Sequence, residues 1–536
     1  MIPAAAKEEK VKMDYNRSLM KQIEDLILDN ESLQSENRKL RNENRQLRKA
    51  VSHLEDSLTK KIEAAVERQV LPLRQKTLEL ENTIASKDTE IKRLKAIINK
   101  DSSNSSKPPS TNGFNKIPNN REKSNKKQGG QPGHKGHSLK IPENLDSLVD
   151  DGLAIKKLVD HTNGANEYIS KWIVDLEIKT VYTEVRYPIG IQLPPELTPE
   201  VVYGSGIKAL TVLLEQEGVV AIKRMADFFS TVTGGLTTPS KGTIESFISG
   251  FAANVDDDIA AIKEDLLNGL VLNTDDTPMR CAETYEYDEN EKPTLKTAEK
   301  TTYSVNIRTY SNEKATLYTV NPKKDDAGVI RDGILEDYDG ILGHDHDKKF
   351  YKYSDKHATC CDHLGRDLKG LRDLYCCQWA DDFRSFLYEM NSYKKRDEQS
   401  GKDRCAENVL IAFMERYDNI VDDGISVLQG MAPKSFGYDE LRKMLARLQD
   451  YKDAYTLFIR DYTAPFTNNL AERDLRSCKT RQKISGCFRT WKGISDFVTS
   501  KSVISTWKKQ GFDLYSKIYE KFHNPHAEFN HSPTGQ

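Results

Sequence analysis

Long apolar runs are missing from this chain. No stretch approaches the roughly 18 residues needed to cross a bilayer, and the N-terminus carries no apolar signal core. A membrane-spanning role is therefore not expected. Cysteine is sparse and irregularly spaced: 8 in 536 residues, at Cys281, Cys360, Cys361, Cys376, Cys377, Cys405, Cys478 and Cys487. These form neither a disulfide framework nor a Cys-x-x-Cys pair, which predicts reduced thiols in a cytosolic protein. An excess of one charge is also missing: 80 Lys and Arg face 82 Asp and Glu, for a net charge of -2. That balance hides local asymmetry. From Lys107 to Lys140 eight Lys/Arg accompany one acid, Glu122, and from Thr463 to Gly511 ten accompany three: Glu472, Asp474 and Asp496. Basic patches of this kind are the footprint of a nucleic-acid partner. A solvated surface is the plainer reading of any single run. The length predicts roughly three to four domains.

Leu19, Leu26, Leu33, Leu40, Leu47 and Leu54 recur every seventh residue, with Ile23, Asn30, Asn37, Asn44, Val51 and Leu58 four places after each. This is a heptad with leucine at d, which predicts a parallel coiled-coil dimer whose three a-position asparagines fix register. Pro72 is expected to interrupt it. A second set follows, with Ile84, Ile91 and Ile98 at a and Leu80 and Leu94 at d. Residues 101–141 turn to Ser, Asn, Pro, Gly and Lys and cannot build a core. They read as a linker or as a basic arm along a DNA groove. Lys107, Lys126, Lys127, His134, Lys135 and His137 are its candidate DNA contacts.

Alternating apolar residues around Trp172-Ile173-Val174 and Thr180-Val181-Tyr182 predict a small β module over 142–203. The pattern over 204–268 is helical, with a weak helix-turn-helix signal around Gly234-Gly235. Strand signals follow. One runs into Asp275-Asp276 and another into His344-Asp345-His346-Asp347. With helical residues 366–460 after them, they predict a mixed sheet with helices on its faces.

The segment Thr467-Asn468-Asn469-Leu470-Ala471-Glu472-Arg473 puts one acid into a basic field with Arg476, Lys479, Arg481 and Lys483. Asn469 as N-cap with Glu472 three residues later is a capping box, used by many helices for stability alone. The functional alternative is a metal ligand. Acids at two strand ends, joined by a helix-borne Glu, can hold two Mg²⁺ ions about 3.5–4 Å apart for phosphodiester chemistry. The acids alone leave open which of each pair binds metal.

Several stretches together resemble the transposases of insertion-sequence family 66, a branch of the DDE transposases with a ribonuclease H-like core. They are Ser-Ser-Asn-Ser-Ser-Lys-Pro-Pro-Ser at 102–110, Gly-Gly-Gln-Pro-Gly-His-Lys-Gly-His at 129–137, Asp-acid-Thr-Pro at 275–278, Cys360, His363 and Arg366 in Cys-x-x-His-x-x-Arg, and Thr-Asn-Asn-x-x-Glu-Arg at 467–473. The resemblance implies a catalytic and metal-binding triad of Asp275, Asp345 and Glu472, with Mg²⁺ as cofactor and Mn²⁺ as its substitute. It implies DNA contacts at Arg366, Arg473, Arg476 and Lys483, and supporting roles for Asn469 and His363. It also implies a bacterial cytoplasmic protein associated with the nucleoid. Its partners are the double-stranded DNA of element ends and target, with a second copy joined through the coiled coil. The family's Cys-x-x-Cys zinc ribbon is absent between 140 and 200, so no zinc is expected. The family's Asp-Gly-Tyr is Asp345-His346-Asp347 here, which makes Asp347 a rival of Asp345.

The expected fold is multidomain α/β. It comprises a coiled coil (14–100), a linker arm (101–141), the β module (142–203), a helical DNA-binding region (204–268), a ribonuclease H-like core in two parts (269–365 and 461–511) around a helical insertion (366–460), and a tail (512–536). The expected activity is DNA transposition: cutting element ends and joining 3′-hydroxyls to target DNA. A catalytically dead DNA-binding regulator and a nuclease without strand transfer are the alternatives. Sedimentation of residues 10–100 should show a dimer, and a stable monomer would refute the coiled-coil reading.

Overall fold

The computed structural model describes residues 63–101, 104–105, 140–150, 152, 154–164, 166–193 and 197–523. The leucine heptads at 19–58 and most of the basic arm, including Lys107, Lys126, Lys127, His134, Lys135 and His137, lie outside them. Two compact units are formed. One draws on Met1–Asn120 and Cys360–Tyr462, the other on Arg121–Thr359 and Thr463–Gln536.

In chain order the helices before the sheet are α1 (Glu63–Ile98), α2 (Leu145–Asp150), α3 (Ser205–Gln216), α4 (Ile222–Val232), α5 (Lys241–Ala253) and α6 (Asp256–Leu267). The strands are β1 (Val271–Cys281), β2 (Glu283–Tyr287), β3 (Pro293–Thr297), β4 (Tyr303–Ser311), β5 (Thr316–Asn321), β6 (Ile341–His344) and β7 (Lys356–Thr359), with α7 (Asp326–Asp332) between β5 and β6. Then come α8 (Cys361–Tyr375), α9 (Trp379–Gln399), α10 (Glu407–Gln429), α11 (Tyr438–Asp450), α12 (Lys452–Arg460), α13 (Asn469–Ser485), α14 (Trp491–Lys509) and α15 (Leu514–Phe522).

The second unit is built on a mixed five-stranded sheet in the order β5-β4-β1-β6-β7. β5, β4 and β1 pair antiparallel, and β1, β6 and β7 pair parallel. β6 is buried along its whole length, as its apolar Ile-Leu-Gly sequence and its central parallel position require. Leu272, Tyr310 and Leu317 of the sheet pack with Val212, Phe251, Leu266, Val503, Trp507 and Ile518 from the surrounding helices. A second cluster joins Met279, Ile307 and Tyr318 to Leu475 and Cys478 of α13 and Phe497 of α14. A helix–turn–helix arrangement is present in α4 and α5, whose connection carries Gly234 and Gly235 at positive φ. Phe251 of α5 and Ile262 and Leu266 of α6 join the sheet's core, while Ile244 and Ile248 of α5 pack on Met225 of α4.

Three expectations are corrected. The alternating segment around 155–191 forms no strand among the described residues. Trp172 is 51% and Ile173 91% exposed, so the alternation has no sheet to face. Pro72 does not end the helix: α1 runs through it, although proline has no backbone N–H to give to a helix. Residues 514–522 of the expected tail are a helix that belongs to the core. Ile518 of α15 is buried in the core, and the Ser205 hydroxyl donates to the Phe522 carbonyl at 2.7 Å.

In the first unit, Ile91 of α1 is buried, Leu80, Ile84 and Leu94 are half-buried, and Ile98 is exposed. The stretch after α1 is not wholly a linker. The Asn104 amide closes the helix end on the Asn99 carbonyl at 2.9 Å. Its own carbonyl presses on α8 at Gly370, where a Cβ would lie 2.2 Å from it. The helices of residues 361–460 pack around Trp379, Phe383, Phe386 and Tyr417. Gly424 sits mid-helix in α10, where glycine costs about 1 kcal/mol against alanine. It is there because a Cβ would lie 2.5 Å from the Trp379 ring and 2.6 Å from Leu445. Gly424→Val should lower stability by about 3 kcal/mol through overpacking, measured as a urea midpoint shift.

Candidate active site

β1 carries two adjacent acids. Successive side chains on a strand point to opposite faces, so Asp275 and Asp276 look in opposite directions. β1 does not end at them, as the sequence suggests. It pairs with parallel β6 only as far as Asn273 opposite Gly343, while antiparallel β4 accompanies it on to Cys281. The acids therefore sit mid-strand, where the parallel neighbour stops. That neighbour delivers Asp345 immediately after its last residue, His344.

Asp276 lies opposite Arg308 of β4 in register. Its carboxylate is 1% exposed and is reached by Lys349 at 2.5 Å, Lys324 at 2.7 Å and Arg308 at 3.8 Å. Arg308 is fully buried and also pairs with Asp332, which in turn accepts from Tyr310 and Asn321, each at 2.7 Å. Lys324 and Lys349 both also reach Asp347 at 3.2 Å. Burial works to raise Asp347, but the two lysines outweigh it and hold the carboxyl below its usual range. Asp347 also caps the 3₁₀ turn Lys348–Lys352, accepting from the Lys349 amide. Burial pulls Lys324 down and Asp276 more than reverses this, so the ammonium stays charged.

Asp275 and Asp345 are in the opposite condition. Neither enters an ion pair among the described residues. Burial pushes Asp275 well above the carboxylate range, and the charges of Asp345, Asp276 and Glu472 push it further. Asp345 is raised by burial, then by Asp276 and Asp347, against the pull of Lys324 and Lys349. Beneath it His344 Nε2 meets His357 Nδ1 at 3.2 Å, and burial drives His344 down to about 3, so this imidazole is neutral.

Glu472 stands in the first turn of α13. The expected capping box is not formed. Asn468, not Asn469, is the N-cap, and no side chain caps this helix. The Asn468 amide is committed elsewhere: it donates to the Thr274 carbonyl at 2.8 Å, one residue before Asp275. That bond ties the start of α13 to β1 and brings Glu472 within the field of Asp275. Asn469 is exposed. Arg473, Arg476 and Lys483 are exposed along the same helix. Arg481 is not part of that face, being buried against Glu215 of α3 at 2.9 Å. Lys479 donates to the Pro278 carbonyl. His363 and Arg366 lie on α8, in the other unit; burial lowers His363 to about 3. Lys324, Lys349 and Asn468 escape sequence reasoning. No spacing distinguishes Lys324 or Lys349 from neighbouring lysines, and Asn468 is one residue from the expected cap.

Three gathered carboxyls, of which Asp275 and Asp345 enter no ion pair among the described residues, suit a hard divalent ion that takes oxygen ligands. The profile of a family described as "Transposase IS66 family" matches residues 200–496, more than half of the chain. A family of unknown function matches residues 17–140. An uncharacterised protein of Sinorhizobium fredii, y4jO, is 33% identical over 85 residues, which is 16% of this chain and 26% of that protein. The chain thus spans about a quarter of the length of the curated relative it matches. No solved structure matches.

A carboxyl raised on folding binds its proton more tightly in the native state. Stability therefore falls as pH rises from the unfolded value, about 4, toward the raised folded value, and the loss is constant above it. Asp275→Asn removes that cost. In EDTA the variant should unfold at a higher temperature than the parent at neutral pH, with the gap closing as pH falls to about 4.

Proposed function

The chain belongs to the IS66 transposase family, and on that premise we propose that it cuts the ends of a mobile element and joins the freed 3′-hydroxyls to target DNA, using Mg²⁺. The observation that carries this reading is the division of the acids. Asp276 and Asp347 are matched by Lys324 and Lys349. Asp275 and Asp345 enter no ion pair among the described residues, and Asp275 shares its field with Glu472. In this reading Asp275, Asp345 and Glu472 hold the metal, and Asp347 is not the ligand. Bound divalent cations supply Lewis-acid activation of the attacking oxygen and charge stabilisation at the leaving one.

The chain's own groups do the rest. Asn468 fixes the height of Glu472 over β1, and neutral His344 packs beneath Asp345 without adding charge. Arg473, Arg476 and Lys483, exposed on α13, contact DNA phosphates. A mixed sheet with acids on its central strand and just past its parallel neighbour supports a ribonuclease H-like core. The basic arm through Lys107, Lys126, Lys127, His134, Lys135 and His137 adds DNA contacts. The N-terminal heptads pair two copies. His363 as support and Arg366 as a phosphate contact rest on the family pattern.

The test is strand cleavage and transfer on a duplex carrying the element's ends, with Mg²⁺. Changing groups that merely orient metal ligands costs about 10–100-fold, so Glu472→Gln, which changes a ligand, should lose more than about 100-fold in both steps while remaining folded. Full Mg²⁺-dependent activity in that variant would overturn the assignment, and nicking without any joined product would restrict the protein to a nuclease.

A further inference from the structure

Lys324 follows the end of β5 and lies with its Nζ 2.7 Å from Asp276 and 3.2 Å from Asp347. The network behind it holds three carboxylates, Asp276, Asp332 and Asp347, and three cations, Arg308, Lys349 and Lys324 itself. Asp276 and Asp332, at 1% and 3% side-chain exposure, are two negatives, and Arg308 and Lys349, at 0% and 8%, are two positives. Asp347 is 27% exposed and is already reached by Lys349. Lys324 is itself 46% exposed. Of the three cations it alone is open to solvent, held at the rim by two carboxylates. One of those carboxylates adjoins Asp275 in sequence, and the other is two residues from Asp345.

We propose that Lys324 is a substrate-binding residue of the active site, which takes a backbone phosphate of the DNA strand entering between the acids. Asp276 and Asp347 hold its ammonium in place, so little freedom remains to be lost when the phosphate arrives. A compact ammonium suits this task, because it offers charge and donors without the planar fork that would demand one orientation. Lys349 supports it from behind as a structural ion and does not reach the strand. The proposal rests on the reading of Asp275, Asp345 and Glu472 as the catalytic acids.

The test uses the full chain in EDTA and a labelled DNA duplex of arbitrary sequence, with affinity followed by fluorescence anisotropy across a salt series. Each phosphate neutralised contributes about 0.9 to the slope of log K against log salt. Lys324→Gln should make the slope shallower by about 0.9 and lower the melting temperature only slightly, because its half-exposed place lets water reach Asp276, while Lys324→Arg should keep the parental slope. Lys349→Gln should lower the melting temperature more, since Lys349 is itself buried and no water replaces its ammonium at Asp276. A parental slope in Lys324→Gln overturns the proposal, as does a melting loss equal to that of Lys349→Gln, which would make Lys324 structural. Glu472→Gln is assayed for Mg²⁺-dependent cleavage in parallel. If it is inactive while the Lys324→Gln slope is unchanged, the lysine assignment alone fails. If it cleaves normally, the site reading fails and takes the lysine assignment with it.

Discussion

Arg308 is fully buried in the middle of the sheet, opposite Asp276. An ion that deep carries a desolvation penalty of several kcal/mol unless it is matched. Asp276 on one side and Asp332 on the other provide the match, and Tyr310 and Asn321 fill the remaining valences of Asp332. The site follows from this. Once Asp276 is bound to the charge network on one face of β1, the next residue back, Asp275, is left on the other face with no ion pair among the described residues. The alternation of a strand thus turns two chemically identical neighbours into one acid bound in an ion network and one outside it.

A second constraint sets the third acid. α13 is held to β1 by Asn468 and sealed beneath by Leu475 and Cys478. Its far end is tied to α3 by the buried pair of Arg481 and Glu215. Removing one partner of such a pair costs about 3–5 kcal/mol. A helix held at both ends cannot rotate its first turn independently, so the distance from Glu472 to Asp275 is set by the scaffold.

Much of this was legible in the residue order. The Asn-Asn-x-x-Glu-Arg segment marked α13, the apolar runs before Asp275 and Asp345 marked strands, and the mixed sheet followed from their spacing. What escaped depends on contacts that spacing does not encode. Asp345 and Asp347 are equivalent on paper, and they part company only because Lys324 arrives from the exit of β5 and Lys349 from the turn just beyond. The capping box around Asn469 failed for a similar reason. Asn468 has a tertiary use for its amide, and local helix grammar is blind to the strand that accepts it. The alternation near Trp172 met the opposite difficulty: the periodicity is real, but no described neighbour supplies the backbone to pair with it.

The chain leaves the sheet unit at Thr359 and rejoins it at Thr463. Two of the three acids are thus in place on the growing chain long before the third. At ordinary synthesis rates, about 5–20 residues per second, Glu472 follows Asp345 by several seconds. During that interval the helices of residues 361–460 have time to collapse locally, while the carboxyl pair already made has no Glu472 to complete it. A nascent or prematurely terminated chain therefore carries the two acids of the sheet without Glu472 beside them.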